Sequence, residues 1–272
     1  MKGYRVSRQM EPGYISWLNA RLEAYIEKFS SSDVIVQENI DLKAEHTYKV
    51  REEILDIGRS LGLGDEDLRL AEAVALLHDI GRFEQYSRYR TFADHKSEDH
   101  GALGVKVIQG EGLVEGLEVE EAAVIIRTVG AHNRAELPDE TTGRGLFFLK
   151  LLRDADKVDI LRVVTEYYQN AENGRKRSIE LGLSDDNRVS DNVYEALMNG
   201  RVARMKDLET LNDFKLLQIG WVYDLNFPRT FQLVRERKYL RKIRAALPRG
   251  SVQIDNIYDR AFRHLSRGEE RF

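Results

Sequence analysis

The sequence predicts an all-α protein, and three observations support that prediction. Apolar residues recur at three- and four-residue spacing in most segments, which is the period of an amphipathic helix. Only four prolines occur in 272 residues, so helices have few forced interruptions. One stretch, "DVIVQE" at 33–38, is compatible with a short strand, but a single run of this kind cannot form a sheet.

The helices of the N-terminal half are bounded by their capping and breaking residues. Pro12 suits a first helical turn, because its missing N–H would have no partner there. Gly62 is expected to stop the second helix and Gly81 the third, with a loop over 82–96 after it. Ser97 suits the N-cap of the next helix, since acidic residues follow it. The expected helices are 12–29, 44–61, 65–78, 97–109, 120–131 and 145–169.

The C-terminal part is also expected to be helical, with helices near 190–206, 207–223, 228–246 and 254–266. A polar stretch, "NGRKRSIELGLSDDNR" at 173–188, precedes them and is expected to lie at the surface. We therefore predict three parts. They are an N-terminal helical segment at 1–32, a core domain at 33–170, and a C-terminal helical extension at 171–272 packed on that core.

Composition limits the chemistry that the protein can use. Hydrophobic residues make up 42% and charged residues 32% of the chain, which is typical of a globular protein. The formal net charge of −4 provides no general attraction for nucleic acid. The absence of cysteine excludes disulfides, thiolate metal sites and a cysteine nucleophile. With no signal-peptide pattern and no apolar run of membrane-spanning length, we expect a cytoplasmic protein.

Several residues that can bind a metal lie on helix faces that are otherwise apolar. His78 follows Val74 by four residues, and His46 precedes Val50 by four. A single inward histidine is more often a hydrogen-bonded core residue than a ligand. A buried carboxylate such as Asp79 needs a partner, and one cation at a common meeting point would serve several of these groups. The residues on such faces are His46, His78, His100, His132 and Asp156.

The pattern His…His-Asp…Asp occurs on consecutive helices, at His46, His78, Asp79 and Asp156. This order resembles the HD-domain superfamily of metal-dependent phosphohydrolases. The segments "HDIG" at 78–81 and "RDADKVDIL" at 153–161 are typical of that superfamily. The resemblance covers about residues 40–165. It implies an all-α HD-domain helical bundle with extra N- and C-terminal helices.

The resemblance also implies a set of metal ligands. Those of one ion would be His46, His78, Asp79 and Asp156. His100 and His132 occupy the positions at which two-metal members carry two further histidines, and Asp79 would bridge the ions. Such nitrogen and oxygen donors suit Fe, Mn, Zn, Co or Ni. We therefore expect a divalent transition metal, with two ions, and hydrolysis of a small phosphate ester or nucleotide by a metal-activated water.

Cations in the segment between the predicted ligands are candidates for binding the substrate phosphate. Arg82 and Lys96 are the first choices, because they lie nearest to those ligands in the sequence. Together with Asp79 they form the expected catalytic set. His95 lies in polar surroundings and is expected to be a surface residue. Asp159, one turn beyond the last predicted ligand, is a candidate for orienting a ligand histidine.

Two other functions stay open at this point. A subset of HD-domain proteins with the same six ligands look like di-iron oxygenases. A non-catalytic nucleotide-binding regulatory module is the second alternative. A membrane is not an expected partner, and neither is nucleic acid, because the basic stretch 228–250 fits the outer face of an amphipathic helix in a slightly acidic chain. A homodimer through the C-terminal helices is compatible with the sequence.

Overall fold

The computed structural model describes residues 10–139, 141–170, 180 and 182–268. Within these ranges the protein is helical and contains no strand, and the one extended pairing is an isolated bridge between Ser184 and Thr210. The prediction of an all-α fold is confirmed. Half of the polar stretch at 173–188 lies outside the described residues, and in the described half most of residues 182–188 are exposed, as expected for a surface segment.

The chain divides into two compact units, of which the first ends at Asp156. Its helices are α1 (Pro12–Glu27), α2 (Val34–Ser60), α3 (Asp65–Leu77), α4 (Gly81–Tyr89), α5 (His100–Gly110), α6 (Val119–Ala131) and the first part of α7 (Gly143–Gln169). Helix α3 packs against α1, α2 and α6, and α5 packs against α4 and α6. The second half of α3 is almost entirely buried, which places its C-terminal end in the interior of this unit.

Helix α2 begins ten residues earlier than the sequence predicts, at Val34 rather than residue 44. The side chain of Asp33 caps it by accepting hydrogen bonds from the backbone N–H groups of Ile35 and Val36, at 2.9 and 3.2 Å. The strand-compatible stretch is therefore the first turn of a helix. Val34 and Ile35 are each 69% exposed, so their side chains do not pack as those of a buried strand would. The preference of Asp33 for the N-cap position therefore decides the local structure.

The predicted loop over 82–96 is wrong in its first half, because Gly81 begins helix α4. The role of Gly81 is close packing. A Cβ atom there would lie 2.5 Å from the carbonyl oxygen of His100 and 2.6 Å from the backbone nitrogen of Gly104, both on α5. Helix α4 ends at Tyr89, and the next residue, Arg90, has a left-handed backbone with a φ of 54°. Only the segment after it is irregular, apart from the short 3₁₀ turn Asp94–Lys96.

The second unit begins at Lys157 and contains the rest of α7. Its other helices are α8 (Asp191–Met198), α9 (Leu211–Gly220), α10 (Pro228–Glu236), α11 (Tyr239–Ala245) and α12 (Val252–Gly268). Helix α12 packs against all four of the others. The predicted helix 228–246 is two helices, because the backbone turns at Lys238, where φ is 60°. The predicted three-part division stays a prediction.

No helix in the described part of the chain combines the length and the apolar character needed to cross a bilayer.

Candidate metal centre

The fold brings together the ends of several helices of the first unit. His78 and Asp79 follow α3, His132 follows α6, and His100 begins α5. His46 and Asp156 lie within the long helices α2 and α7. The six side chains form two sets, and in each set the ligand atoms lie within 4.8 Å of one another. We call these sets the His46 triad (His46, His78, Asp156) and the Asp79 triad (Asp79, His100, His132).

The carboxylate of Asp79 links the two triads, because each of its oxygens faces a different pair of histidines. Oδ2 lies 3.6 Å from Nε2 of His46 and 3.7 Å from Nε2 of His78. Oδ1 lies 3.4 Å from Nε2 of His100 and 3.7 Å from Nε2 of His132. One carboxylate therefore faces the histidines of both triads.

Three of the histidines hold one ring nitrogen in a hydrogen bond to an acceptor. Nδ1 of His78 lies 2.7 Å from the carbonyl oxygen of Ala75, and Nδ1 of His132 lies 2.8 Å from that of Val129. Nδ1 of His100 lies 2.7 Å from Oδ2 of Asp94. Because these partners only accept, each Nδ1 carries the proton and each Nε2 presents a lone pair to the centre.

Two of the histidines, His78 and His100, are held in the neutral form that metal binding requires. Burial lowers the pKa of His78 to about 4, against the opposing charges of Asp79 and Asp156. Burial, followed by the charge of Arg82, also lowers the pKa of His100 to about 4. Both imidazoles are therefore unprotonated near neutral pH and can act as ligands.

Both aspartates are held in the ionised form. Burial by itself would raise the pKa of Asp79, but the ammonium of Lys43 and the neighbouring charges lower it well below its usual range. Nζ of Lys43 lies 2.7 Å from Oδ2 of Asp79. Burial would also raise the pKa of Asp156. The hydrogen bond and charge of His46 outweigh burial, so the pKa of Asp156 is lowered as well.

These contacts suit a cation between the histidines of the Asp79 triad. Nε2 of His100 lies 3.1 Å from Nε2 of His132, so two lone pairs face each other at a hydrogen-bond distance without a proton to share. Imidazole nitrogens with carboxylate oxygens are donors that divalent transition metals accept. The two triads are therefore candidate ligand groups for a divalent metal.

A family model described as HD domain matches residues 44–180, about half of the chain, and that range includes both triads. The chain belongs to the HD-domain family. Searches of curated proteins and of solved structures return no match. Membership confirms the resemblance seen in the sequence and the HD-domain helical fold. It also implies a metal-dependent, hydrolase-type activity.

One carboxylate of this HD domain that the sequence did not indicate is Asp94. Besides His100, it accepts hydrogen bonds from Nη1 of Arg82 at 3.0 Å, Nε2 of Gln85 at 2.9 Å and Nδ2 of Asn133 at 3.1 Å. Asp159, the predicted orienting carboxylate, accepts a hydrogen bond from Nε of Arg162 at 2.6 Å, and its expected role stays a prediction. The six-residue separation of Asp94 from His100 gave no periodic signal, because an irregular segment joins them.

The predicted cations lie in different settings. Arg82 is next to the site, with Nε 3.5 Å from Oδ1 of Asp79, and its Nη1 also donates to the carbonyl oxygen of Phe92 at 2.6 Å. Lys96 is exposed, and so is His95, as expected for a surface residue. The catalytic roles of Arg82 and Lys96 stay predictions. The sequence interpretation missed Lys43, although it precedes His46 by three residues and so lies near the same helix face.

Proposed function

We propose that this HD domain hydrolyses a small phosphate ester or a nucleotide in a reaction that requires two divalent metal ions. The observation that supports this proposal best is the link through Asp79, which joins two ligand triads by one carboxylate. Lys43 and Arg82 lie directly beside that carboxylate and favour an anionic substrate.

The chain's own residues hold and orient the reacting groups. Divalent ions bound at such a site polarise a phosphoryl oxygen and make a bound water more acidic. The main-chain carbonyls of Ala75 and Val129 prevent the rings of His78 and His132 from turning away. The side chain of Asp156 is 18% exposed and that of Asp79 is 4% exposed, so Asp156 is the carboxylate of the two that water reaches more easily.

A di-iron oxygenase is the second candidate, because four imidazoles and two carboxylates also suit iron. The two cations beside Asp79 favour a phosphate substrate and hydrolysis. The two functions make different predictions for the metal and for oxygen. Bound iron, with an optical change that depends on O₂, would favour the oxygenase.

The test begins with protein purified without chelators. Its metal content is determined by elemental analysis, and the protein is then loaded in turn with Mn, Fe, Co, Ni and Zn. Each preparation is assayed on a panel of phosphate monoesters and nucleotides. We expect turnover that requires metal, and we expect His78→Ala and Asp79→Ala to abolish it together with metal binding.

His95→Ala is the matched control, because it removes an exposed histidine close to the site in sequence. It should retain metal and activity. Full activity with bound metal in His78→Ala or Asp79→Ala would contradict the assignment of the site. Metal binding without turnover, combined with nucleotide binding, would favour the regulatory module.

A further inference from the structure

The side chain of Lys43, which is not in the expected catalytic set, places a cation at the centre of the site. Its Nζ lies 2.7 Å from Oδ2 of Asp79, the oxygen that faces the His46 triad. The side chain is only 17% exposed. An ammonium that is this well shielded from water needs an anion at close range, and Asp79 provides it here.

Lys43 and Arg82 both lie beside Asp79, but the side chain of Lys43 can change its position more easily than that of Arg82. Nη1 of Arg82 donates to Phe92, Asp94 and Gln85, so its guanidinium is tied to the segment after α4. Lys43 reaches the site on a flexible stem from α2, and the hydrogen bond that its Nζ makes to Asp79 can be exchanged for another. Lys43 is therefore the cation that can turn towards a ligand.

Oδ2 of Asp79 cannot keep its ion pair with Lys43 and bind a metal ion at the same time. A cation that takes the lone pairs of Oδ2 competes with the ammonium for the same oxygen and repels it. The ring of Phe92 lies 5.4 Å from Nζ and attracts a cation on its face, which keeps the displaced ammonium near the site. An ammonium in that position favours an anionic oxygen brought by the substrate.

We propose that Lys43 binds a phosphoryl oxygen of the substrate. In the metal-free protein its ammonium instead pairs with the carboxylate of Asp79, where a metal ion would bind. This inference rests on the proposed function, because it assumes that the two triads bind metal. It assigns recognition of the phosphoryl group to a residue on α2. The role of Arg82 is then to hold the segment after α4 next to the site through its hydrogen bonds to Phe92 and Asp94.

The test measures two affinities by isothermal titration calorimetry, that of the metal-free protein for Mn²⁺ and that of the Mn²⁺-loaded protein for inorganic phosphate. The variants are Lys43→Met, which removes the charge and keeps the stem, and Lys43→Arg, which keeps the charge. Lys49→Met is the matched control, because Lys49 lies on the same helix and its side chain is 39% exposed. Lys43→Gln replaces Lys43→Met if the latter does not fold.

Lys43→Met should weaken phosphate binding by about tenfold or more, the size expected for the loss of one charge-assisted hydrogen bond. Its affinity for Mn²⁺ should be unchanged or higher, because the competing ammonium is gone. Lys43→Arg should restore most of the phosphate affinity, and Lys49→Met should behave as wild type. Opposite effects on metal and phosphate would not arise from a merely structural role.

Other outcomes would overturn the inference in distinguishable ways. If Mn²⁺-loaded Lys43→Met binds phosphate as tightly as wild type, the assignment of Lys43 is wrong and the proposed function stands. If Lys43→Met loses Mn²⁺ together with phosphate, Lys43 serves to hold Asp79 in place. If wild type binds neither Mn²⁺ nor any of Fe, Co, Ni and Zn, or if no metal-loaded form binds phosphate, the proposed function fails with the inference.

Discussion

The two triads of the centre differ in what holds their histidines in place. In the His46 triad, His78 is oriented by a main-chain carbonyl of its own helix, and the other two members lie inside long helices. In the Asp79 triad, His100 is oriented by the side chain of Asp94, which lies in the short turn before α5. The His46 triad therefore depends on helices, and the Asp79 triad depends partly on one loop carboxylate. A mutation in that loop can weaken one triad and leave the other intact.

The largest expected effect comes from Asp79→Asn, because this carboxylate faces both triads. The amide has nearly the same shape but no charge, so it cannot neutralise two cations. We expect both metal-binding events and all metal-dependent activity to disappear, as measured by elemental analysis and by assay. Retention of one full equivalent of metal would show that one triad works without Asp79.

Acid should destabilise the metal-free protein through a histidine of each triad. The pKa values of His78 and His100 are lowered from 6.5 to about 4, so the unfolded chain binds more protons than the folded one between these values. Stability is therefore lost as the pH falls from about 6.5 to about 4, by up to ~3 kcal/mol per histidine. Urea unfolding at a series of pH values measures this loss.

Replacing each histidine in turn divides the acid effect between the triads. His78→Asn and His100→Asn should each reduce the pH dependence of the free energy of unfolding, and the exposed His95→Asn should leave it unchanged. A free energy of unfolding that stays constant from pH 7 to pH 4.5 in the wild-type protein would contradict the burial argument.

Asp94→Asn separates the two triads directly. The amide cannot accept a hydrogen bond from His100 as strongly as a carboxylate can. Burial would raise the pKa of Asp94, but His100 and Arg82 lower it, which shows that both stabilise the negative charge of this carboxylate. We expect about 10–100-fold weaker metal binding at the Asp79 triad, the usual effect of removing a ligand's outer partner. Calorimetric titration with Mn²⁺ should show one weakened site and one unchanged site.

Asp41→Asn is the control for Asp94→Asn, because Asp41 is an exposed carboxylate on α2. Equal weakening of both metal sites by Asp94→Asn would remove the distinction between the triads.

The smallest expected effect comes from Gly81→Ala, which acts through packing. The added methyl group would press against the backbone of α5 at His100 and Gly104 and cost about 1–3 kcal/mol of stability. Because α5 carries His100, metal binding at the Asp79 triad should weaken slightly more than at the His46 triad. Gly110→Ala, at the open end of α5, has nothing within 4 Å of the new methyl group and should be neutral.

Most helices could be predicted from the sequence because their apolar faces and end signals are local. The errors lie where a nonlocal contact or a competing local signal decides the structure. Gly81 was predicted to end a helix, but its lack of a side chain serves the contact between α4 and α5. The early start of α2 was missed because "DVIVQE" has β-branched residues, and the cap by Asp33 outweighs their preference.

The sequence by itself determined the all-α class, the order of the six candidate ligands and the family to which they point. Those features follow from the periodicity of apolar residues and from short motifs, both of which can be seen in the sequence alone. Only the tertiary structure decided how the ligands divide into two triads, that Asp79 faces both, and that Lys43 and Asp94 belong to the site. These relations depend on directions and distances between residues far apart in the chain, which only packing of the helices sets.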